Sequence, residues 1–210
     1  MPKFLSRGRA CDGCLRAIIG RPRHGFCDAC WRAVIELPAV PARGVCRLYE
    51  YGPPLDAALA RLKYHRGFHT ARTLAGLIAA RWSELPLTDA VQLVPVPSNP
   101  GRVLARGSHH TLLLAQWLVA ALPSHQLSIR RALRRTGGPS QVGANRRARL
   151  ANAARSFRAH HPTAAQLRGA TVLVLDDVYS TGATMHACLS ALAVHQPKQL
   201  LGLALLHRVA

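Results

Sequence analysis

The stretch Thr171-Val-Leu-Val-Leu-Asp-Asp-Val-Tyr-Ser-Thr-Gly-Ala-Thr184 decides how the rest of the chain is read. Val172, Leu173, Val174 and Leu175 form a short continuous apolar run. Such a run, bounded by polar turn residues, predicts a strand buried on both faces of a parallel sheet. Two carboxylates follow, Asp176 and Asp177, then the small-residue loop Ser180-Thr181-Gly182-Ala183-Thr184. After it, Met185, Cys188, Leu189 and Leu192 recur at helical spacing. In the order strand, acids, loop, helix, amide N–H groups and a helix N-terminus converge on one spot, which suits an anion such as phosphate. Gly182 can take the positive φ such a loop needs. The hydroxyls of Ser180, Thr181 and Thr184 add donors.

The acids themselves repel phosphate, so they must face a cation or something neutral and hydroxylated. A ribose ring presents two vicinal hydroxyls, for which a carboxylate is a good acceptor. A sugar at the strand end with its 5-phosphate in the loop satisfies both halves of the motif. An ordinary strand–loop–helix turn capped by Ser180 or Thr181 is the alternative, but it has no use for two carboxylates at a buried strand end. The stretch resembles the 5-phosphoribosyl-1-pyrophosphate (PRPP) motif of type I phosphoribosyltransferases over its whole length.

The 210 residues are enough for one good core and a small satellite module. With 28 Lys+Arg against 9 Asp+Glu, the net charge is +19. Only Lys3, Lys63 and Lys198 are lysines; the remaining positive charge is arginine, whose fork suits phosphate and stacks on bases. A polyanionic partner, nucleic acid above all, fits that charge, as does a compositional bias toward arginine without a binding role. No apolar run approaches the length of a membrane span, and the N-terminal MPKFLSRGRA lacks the apolar core of a secretory signal. The expectation is a cytoplasmic protein without membrane insertion.

Cytosolic thiols stay reduced, so paired cysteines there point to metal rather than to disulfides. Cys11-x-x-Cys14 and Cys27-x-x-Cys30 are two knuckles separated by residues 15–26, close to the four-cysteine zinc pattern. Gly13 favours the tight turn of the first knuckle. The segment between them is too short and turn-rich to form a core without a staple. A closed four-cysteine site is structural, so zinc here orders the module and does not catalyse. Four free or disulfide-linked cysteines remain the alternative. Cys46 and Cys188 read as buried thiols.

Outside these motifs, Trp31 to Leu37 reads as a short helix ended by Pro38, and residues 41–44 as a linker. A strand follows from Val45, then helices over Leu55–Tyr64 and Thr70–Leu85. Val91–Pro95 is a strand, and the rigid loop after it, with Val96, Pro97, Ser98 and Arg102, sits where open α/β sheets bind ligands. His109–Leu122 is an apolar helix. The pair His109-His110 reads as cap or surface, because neighbours on a helix point apart. The segment Arg134 to Arg149 is glycine-rich and basic and reads either as a lid over the phosphate site or as a solvated loop leading into a helix over 144–154. Phe157 opens a short strand, and Leu200–Leu206 is the last one. Strands alternating with helices predict an α/β fold with a parallel sheet.

Five segments together carry a broader resemblance: the paired CxxC knuckles, LYEYGPPLDAALARLKYHRG, LVPVPSNPGRVLARG, PSQVGANRRARLANAARSF and VLVLDDVYSTGAT. Residues 46–210 resemble the ComF family, phosphoribosyltransferase-like competence proteins related to the GntX group, which also carry an N-terminal four-cysteine zinc module. The resemblance implies a type I phosphoribosyltransferase-like parallel sheet flanked by helices over 45–210, and a zinc module with its linker over 1–44. It places ribose hydroxyls on Asp176 and Asp177, also the expected catalytic pair, and the 5-phosphate on Ser180, Thr181, Gly182, Ala183 and Thr184. Diphosphate falls to Val96, Pro97, Ser98, Arg102 and Lys63. Arg134, Arg135, Gln141, Arg146 and Arg147 belong to the flexible, nucleic-acid-facing segment. Zinc on Cys11, Cys14, Cys27 and Cys30, and Mg²⁺ accompanying PRPP, are the implied cofactors. The implied partners are PRPP or ribose 5-phosphate, single-stranded DNA and a DNA-uptake helicase. An active phosphoribosyltransferase of nucleotide metabolism, releasing diphosphate from PRPP, is the alternative. The family's usual Arg-Gly-aromatic-Asn-Gln is here Arg106-Gly107-Ser108-His109-His110, which removes an aromatic and an amide.

Overall fold

Val172 to Leu175 lie in the middle of a nine-residue strand, and the rest of the sheet is laid out around it. The computed structural model describes residues 10–18, 20–64, 68–87, 90–99, 101, 103, 109–136 and 156–209. In chain order the strands are β1 (Val45–Glu50), β2 (Val91–Pro95), β3 (Leu127–Ile129), β4 (Leu133–Arg135), β5 (Phe157–Ala159), β6 (Thr171–Tyr179) and β7 (Gln199–His207). The helices are α1 (Asp28–Arg32), α2 (Leu55–Tyr64), α3 (Phe68–Ala80), α4 (His110–Ala121), α5 (His161–Ala164) and α6 (Ala183–Ala193). Five strands form one parallel sheet in the order β1-β7-β6-β2-β3, and β4 pairs with β5 in a separate antiparallel ribbon.

Alternation along β6 feeds two cores. Leu173 and Leu175 join the cluster that also holds Leu59, Leu62, Leu74, Leu77, Ile78, Leu114 and Leu118 from α2, α3 and α4. Val172 and Val174 join the other, with Met185, Cys188 and Leu192 of α6 and Leu133 and Phe157 of the ribbon. Both faces are therefore covered, which is why the strand reads as continuously apolar. Each such side chain contributes about 1.5–3 kcal/mol on burial.

Several elements differ from the sequence-based expectation, each for a local reason. The helix expected over Trp31–Leu37 lies at Asp28–Arg32, and residues 35–37 are instead extended along β1. Leu37 N–H donates to the Leu48 carbonyl (2.8 Å) and Glu50 N–H to the Ile35 carbonyl (2.9 Å). That pairing covers the free edge of β1. The helix expected over Thr70–Leu85 ends at Ala80 and gives way to a 3₁₀ turn over Trp82–Glu84. At the break, the buried Arg81 guanidinium donates to Leu48 O (2.6 Å) and Leu37 O (2.8 Å) and pairs with Glu84, fastening the segment after the cysteines to the main sheet. Strand β4 was not expected, since Leu-Arg-Arg shows no alternation. The helix expected over 144–154 lies outside the described residues. Among the described residues, no helix is long and apolar enough to cross a membrane.

Candidate functional site

The site begins where β2 stops. Strand β6 pairs with β2 only as far as Leu175, opposite Pro95, and Val96 N–H donates to the Leu175 carbonyl (2.9 Å). On its other flank β6 stays paired with β7 through Tyr179. Asp176 and Asp177 thus sit within the strand, not at its end, on a flank that β2 has left. The chain leaves β2 toward β3 on one side and β6 toward β7 on the other. Such a switch point opens a crevice at the carboxyl ends of the strands. It measures about 280 Å³ and is lined by Lys63, Ser98, His110, Arg135, Asp176 and Asp177, together with Val96, Pro97 and Thr184. A larger hollow of about 390 Å³ lies at the amino ends of β2 and β3, between Trp82 and His125, and among the described residues no carboxylate, lysine or arginine lines it.

Successive strand residues face opposite ways, so the two acids are not equivalent. Asp177 continues the Leu173 and Leu175 face and meets α2 and α4. Lys63 of α2 forms an ion pair with its Oδ2, and His110 Nε2 lies 3.3 Å from the same oxygen. His110 Nδ1 is 3.4 Å from Ser98 Oγ. Burial would raise the Asp177 pKa, but the His110 contact and the Lys63 charge outweigh it and hold the carboxyl well below its ordinary range. Asp176 continues the Val172 and Val174 face. Its Oδ1 accepts from the Asp177 amide (2.9 Å). Burial, followed by the charge of Asp177, pushes its pKa well up. One acid is a fixed carboxylate and the other holds its proton more readily.

Beyond the acids, Asp176, Val178 and Thr184 line both the crevice and a smaller hollow of about 40 Å³ made by residues 178–185. Gly182 has φ +77° and caps α6. A Cβ there would run into the Tyr179 hydroxyl and close on His186, whose Nε2 is 3.3 Å from that hydroxyl. Ala183 N–H donates to Thr181 Oγ1 (3.4 Å). Ser180 and Thr181 complete the rim and Ala183 begins the helix. Thr111 Oγ1 donates to the Val96 carbonyl (2.6 Å), holding the loop of Val96, Pro97 and Ser98 against α4.

The crevice brings together Asp176, Asp177, Lys63, Val96, Pro97, Ser98, Thr184 and Arg135 of the residues expected from the sequence. Arg135 lies 5.3 Å over the Phe157 ring, while Arg134 turns to His160. Arg102, Gln141, Arg146 and Arg147 lie outside the described residues. His110 was read as cap or surface and is instead inside the site; His109 takes the cap position. The signal was available, because His110, Leu114 and Leu118 form one i, i+4, i+8 stripe whose other members are buried.

At the other end of the chain the four sulfurs of Cys11, Cys14, Cys27 and Cys30 lie within 4.8 Å of one another. A tetrahedral Zn–S₄ centre, with bonds near 2.3 Å, needs sulfurs about 3.8 Å apart. Cys14 and Cys27 are at 3.8 Å. The Gly13 and Cys27 amides both donate to Cys11 Sγ (3.3 Å). Burial opposes ionisation of Cys11, but these amides bring its thiol down to about 7. Burial and the neighbouring sulfurs push the Cys30 thiol strongly up. A second thiolate is disfavoured there unless a cation is shared, so the donor set fits zinc. By contrast Cys46 and Cys188 are raised by burial, as inert core thiols are.

The knuckle is tied to α2 and α3. Asp12, 6% exposed, accepts from Thr70 Oγ1 (3.1 Å) and Thr73 Oγ1 (2.7 Å) of α3. Arg61 of α2 donates to the Gly13 carbonyl (3.3 Å). Cys11 and Phe26 join the same buried cluster as α2 and α3.

A family model described as the phosphoribosyl transferase domain matches residues 114–210, from the middle of α4 through β7. The fold is of the phosphoribosyltransferase type. No curated protein matches the chain. Among solved structures, a lysine-to-arginine mutant of hypoxanthine phosphoribosyltransferase from Trypanosoma cruzi is similar both in its ternary substrates complex (15% identity, TM-score 0.39) and with the product IMP (16%, 0.41). An alanine mutant from a study of an invariant aspartic acid in such enzymes matches at 14% and 0.38. Each match covers 67% of this chain; it spans 66%, 65% and 66% of the respective solved chains, a little under two thirds of their length.

Proposed function

We propose that this chain binds PRPP or ribose 5-phosphate along the open flank of β6 and works with single-stranded DNA in a ComF-like role in DNA uptake. The supporting observation is that β2 ends at Pro95 and leaves the largely buried Asp176 and Asp177 lining a crevice continuous with the Gly182 loop. In this reading the ribose hydroxyls donate to Asp176 and Asp177. The 5-phosphate takes the amides and hydroxyls of Ser180, Thr181, Gly182, Ala183 and Thr184 at the start of α6. A diphosphate lies against Val96, Pro97 and Ser98, with Lys63 and Arg135 as its cations. Mg²⁺ bound with PRPP would neutralise diphosphate charge. Zinc on the four cysteines holds the knuckle that α2 and α3 grip. The +19 charge and the basic segment with Arg134, Arg135, Arg146 and Arg147 supply phosphate contacts for a single strand. The resemblance to the ComF family adds a DNA-uptake helicase as the partner.

Calorimetric titration of ribose 5-phosphate and PRPP tests the ligand reading. Binding to the wild-type chain is expected, with at least a tenfold loss in Asp177→Asn; no heat from either ligand at millimolar concentration refutes it. Filter binding of a labelled single strand between 50 and 200 mM salt tests the second half. Neutralising 6–10 phosphates of a single strand predicts a loss of affinity of roughly 300-fold to 10⁴-fold over that range.

A second reading, an active phosphoribosyltransferase of nucleotide metabolism, is favoured by the convergence of Lys63, His110 and Ser98 beside Asp177. Displacement at the anomeric carbon builds oxocarbenium character while diphosphate departs. Here Asp177 would lie near the developing positive charge and Lys63 near the departing negative one. Release of diphosphate from PRPP across a panel of bases, with Asp177→Asn as control, tests it.

A further inference from the structure

We propose that Lys63 is an internal counterion that withholds Asp177 from divalent cations until an anion in the crevice draws the ammonium away. The proposal rests on reading the crevice as the phosphoribosyl site. Asp177 is 5% exposed, and its Oδ2 is already committed to Lys63 and to His110. Asp176 Oδ1 is engaged by the Asp177 amide. Among the described residues that line the crevice with this carboxylate pair, Lys63 from α2, His110 from α4, Ser98 from the loop after β2 and Arg135 from β4 bring cations or hydrogen-bond donors. A bare divalent cation entering here meets an ammonium on the very oxygen it needs, so the ligand-free arrangement does not fit one.

An anion meets the opposite situation. The Lys63 side chain is 22% exposed and ends a flexible four-carbon stem in the last turn of α2. It lines the same crevice as Ser98 and His110. A diphosphate against Ser98 offers Lys63 a second, multiply charged partner. As the ammonium moves onto it, Asp177 regains a free carboxylate oxygen for ribose hydroxyls or for the cation that travels with the diphosphate. Anion and cation affinities then raise one another by the same factor, as linkage requires. The device also stores Asp177 as a neutralised pair while the site is empty, which avoids an unpaired buried charge.

Zinc-loaded protein in otherwise metal-free buffer provides the test, because thiolates keep zinc against manganese. Free Mn²⁺ is counted by electron paramagnetic resonance. The wild-type chain is expected to bind Mn²⁺ at least tenfold more weakly than Lys63→Met, and the gain should vanish in the double variant K63M/D177N. Diphosphate without metal should bind the wild-type chain and lose at least tenfold in Lys63→Met. Lys63→Gln serves as a milder second variant, with circular dichroism to check folding. In the wild-type chain alone, diphosphate should raise the melting temperature and Mn²⁺ should not. Equal Mn²⁺ affinity in wild-type and Lys63 variants, a gain that survives loss of Asp177, or a wild-type melt shifted by Mn²⁺ alone each overturns the proposal. Ribose 5-phosphate titrated in the same buffer separates the two claims. If it fails to bind while the Mn²⁺ pattern holds, the phosphoribosyl reading falls and the counterion stands.

Discussion

Replacing Asp12 by alanine should loosen the whole N-terminal third of the chain while leaving zinc in place. Asp12 lies between Cys11 and Cys14, and its two oxygens accept from Thr70 and Thr73 at 3.1 and 2.7 Å, with His69 Nδ1 3.4 Å from Oδ2. Both threonines are buried, at 5% and 9% exposure. A hydrogen bond to a charged group contributes about 1.5–3 kcal/mol, and an orphaned buried hydroxyl costs about 1–3 kcal/mol. The two effects overlap, which gives a net loss of about 3 kcal/mol for Asp12→Ala. For a chain of this size that is a fall of about 6–12 °C in melting temperature. Calorimetric melts with zinc counted on the same samples measure it. The companion variant T70V/T73V leaves the buried carboxylate with His69 Nδ1, 3.4 Å from Oδ2, in place of its two hydroxyl donors and should be at least as damaged. Adding Asp12→Ala to that pair should restore stability, because both sides of the contact are then apolar. A fall of less than about 2 °C, or zinc lost in proportion to the fall, would refute the docking role.

Four further outcomes are expected. Gly182→Ala forces a Cβ at φ +77° onto the Tyr179 hydroxyl; the strain of about 1 kcal/mol plus the displaced tyrosine should lower the melt by several degrees and weaken ribose 5-phosphate roughly tenfold in calorimetry. Asp176→Asn should raise the melting temperature at neutral pH and still abolish ligand binding. Its folded pKa is raised, so the acid's favourable contribution is complete below the unfolded value near 3.9 and fades as pH climbs through the folded one. Asp177 has the opposite sign: its contribution is present above about pH 4 and is lost as pH falls through the depressed folded value, so acid melts of Asp177→Asn should lose that part of the wild-type slope. Chelating zinc should lower the melt by roughly 5–10 °C or more and weaken ribose 5-phosphate, since the Gly13 carbonyl steadies α2 through Arg61.

The apolar run before Asp176, the helical stripes of α2, α3 and α4 and the turn chemistry around Gly182 made the sheet and its helices legible, because burial on both faces and helical spacing are local properties of a chain. What stayed illegible is set by partners distant in sequence. Residues 35–37 leave the helical state to pair with β1, and α3 stops where Arg81 reaches two carbonyls 33 and 44 positions away. His110 belongs to neither group. Adjacent helical residues diverge, but that alone leaves open which of the two faces inward. The stripe through Leu114 and Leu118 would have chosen His110 over its neighbour.

Adjacent acids read from sequence as one feature with two equal members. Strand geometry makes that impossible, since Asp176 and Asp177 leave β6 on opposite faces and meet different layers. The layer of α2 and α4 brings Lys63 and His110 to Asp177 and keeps it ionised. The layer of α6 brings burial to Asp176 and raises its proton affinity. Any ligand lying across both therefore meets a carboxylate held ionised on the side of Ser98 and an acid of raised proton affinity on the side of Thr184. An oxyanion is tolerated only where the negative charge is answered, beside Lys63 and Arg135, or where it is weakest, over the Gly182 loop at the start of α6. A sugar carrying anions at both ends, with its hydroxyls between, satisfies that division in one orientation. Exchanging the environments tests it: Lys63→Glu should repel the anion next to Ser98 and leave a 5-phosphate at the Gly182 loop, so PRPP affinity falls by more than tenfold while ribose 5-phosphate falls much less. Equal losses for the two ligands would mean that the crevice does not sort its anions along β6.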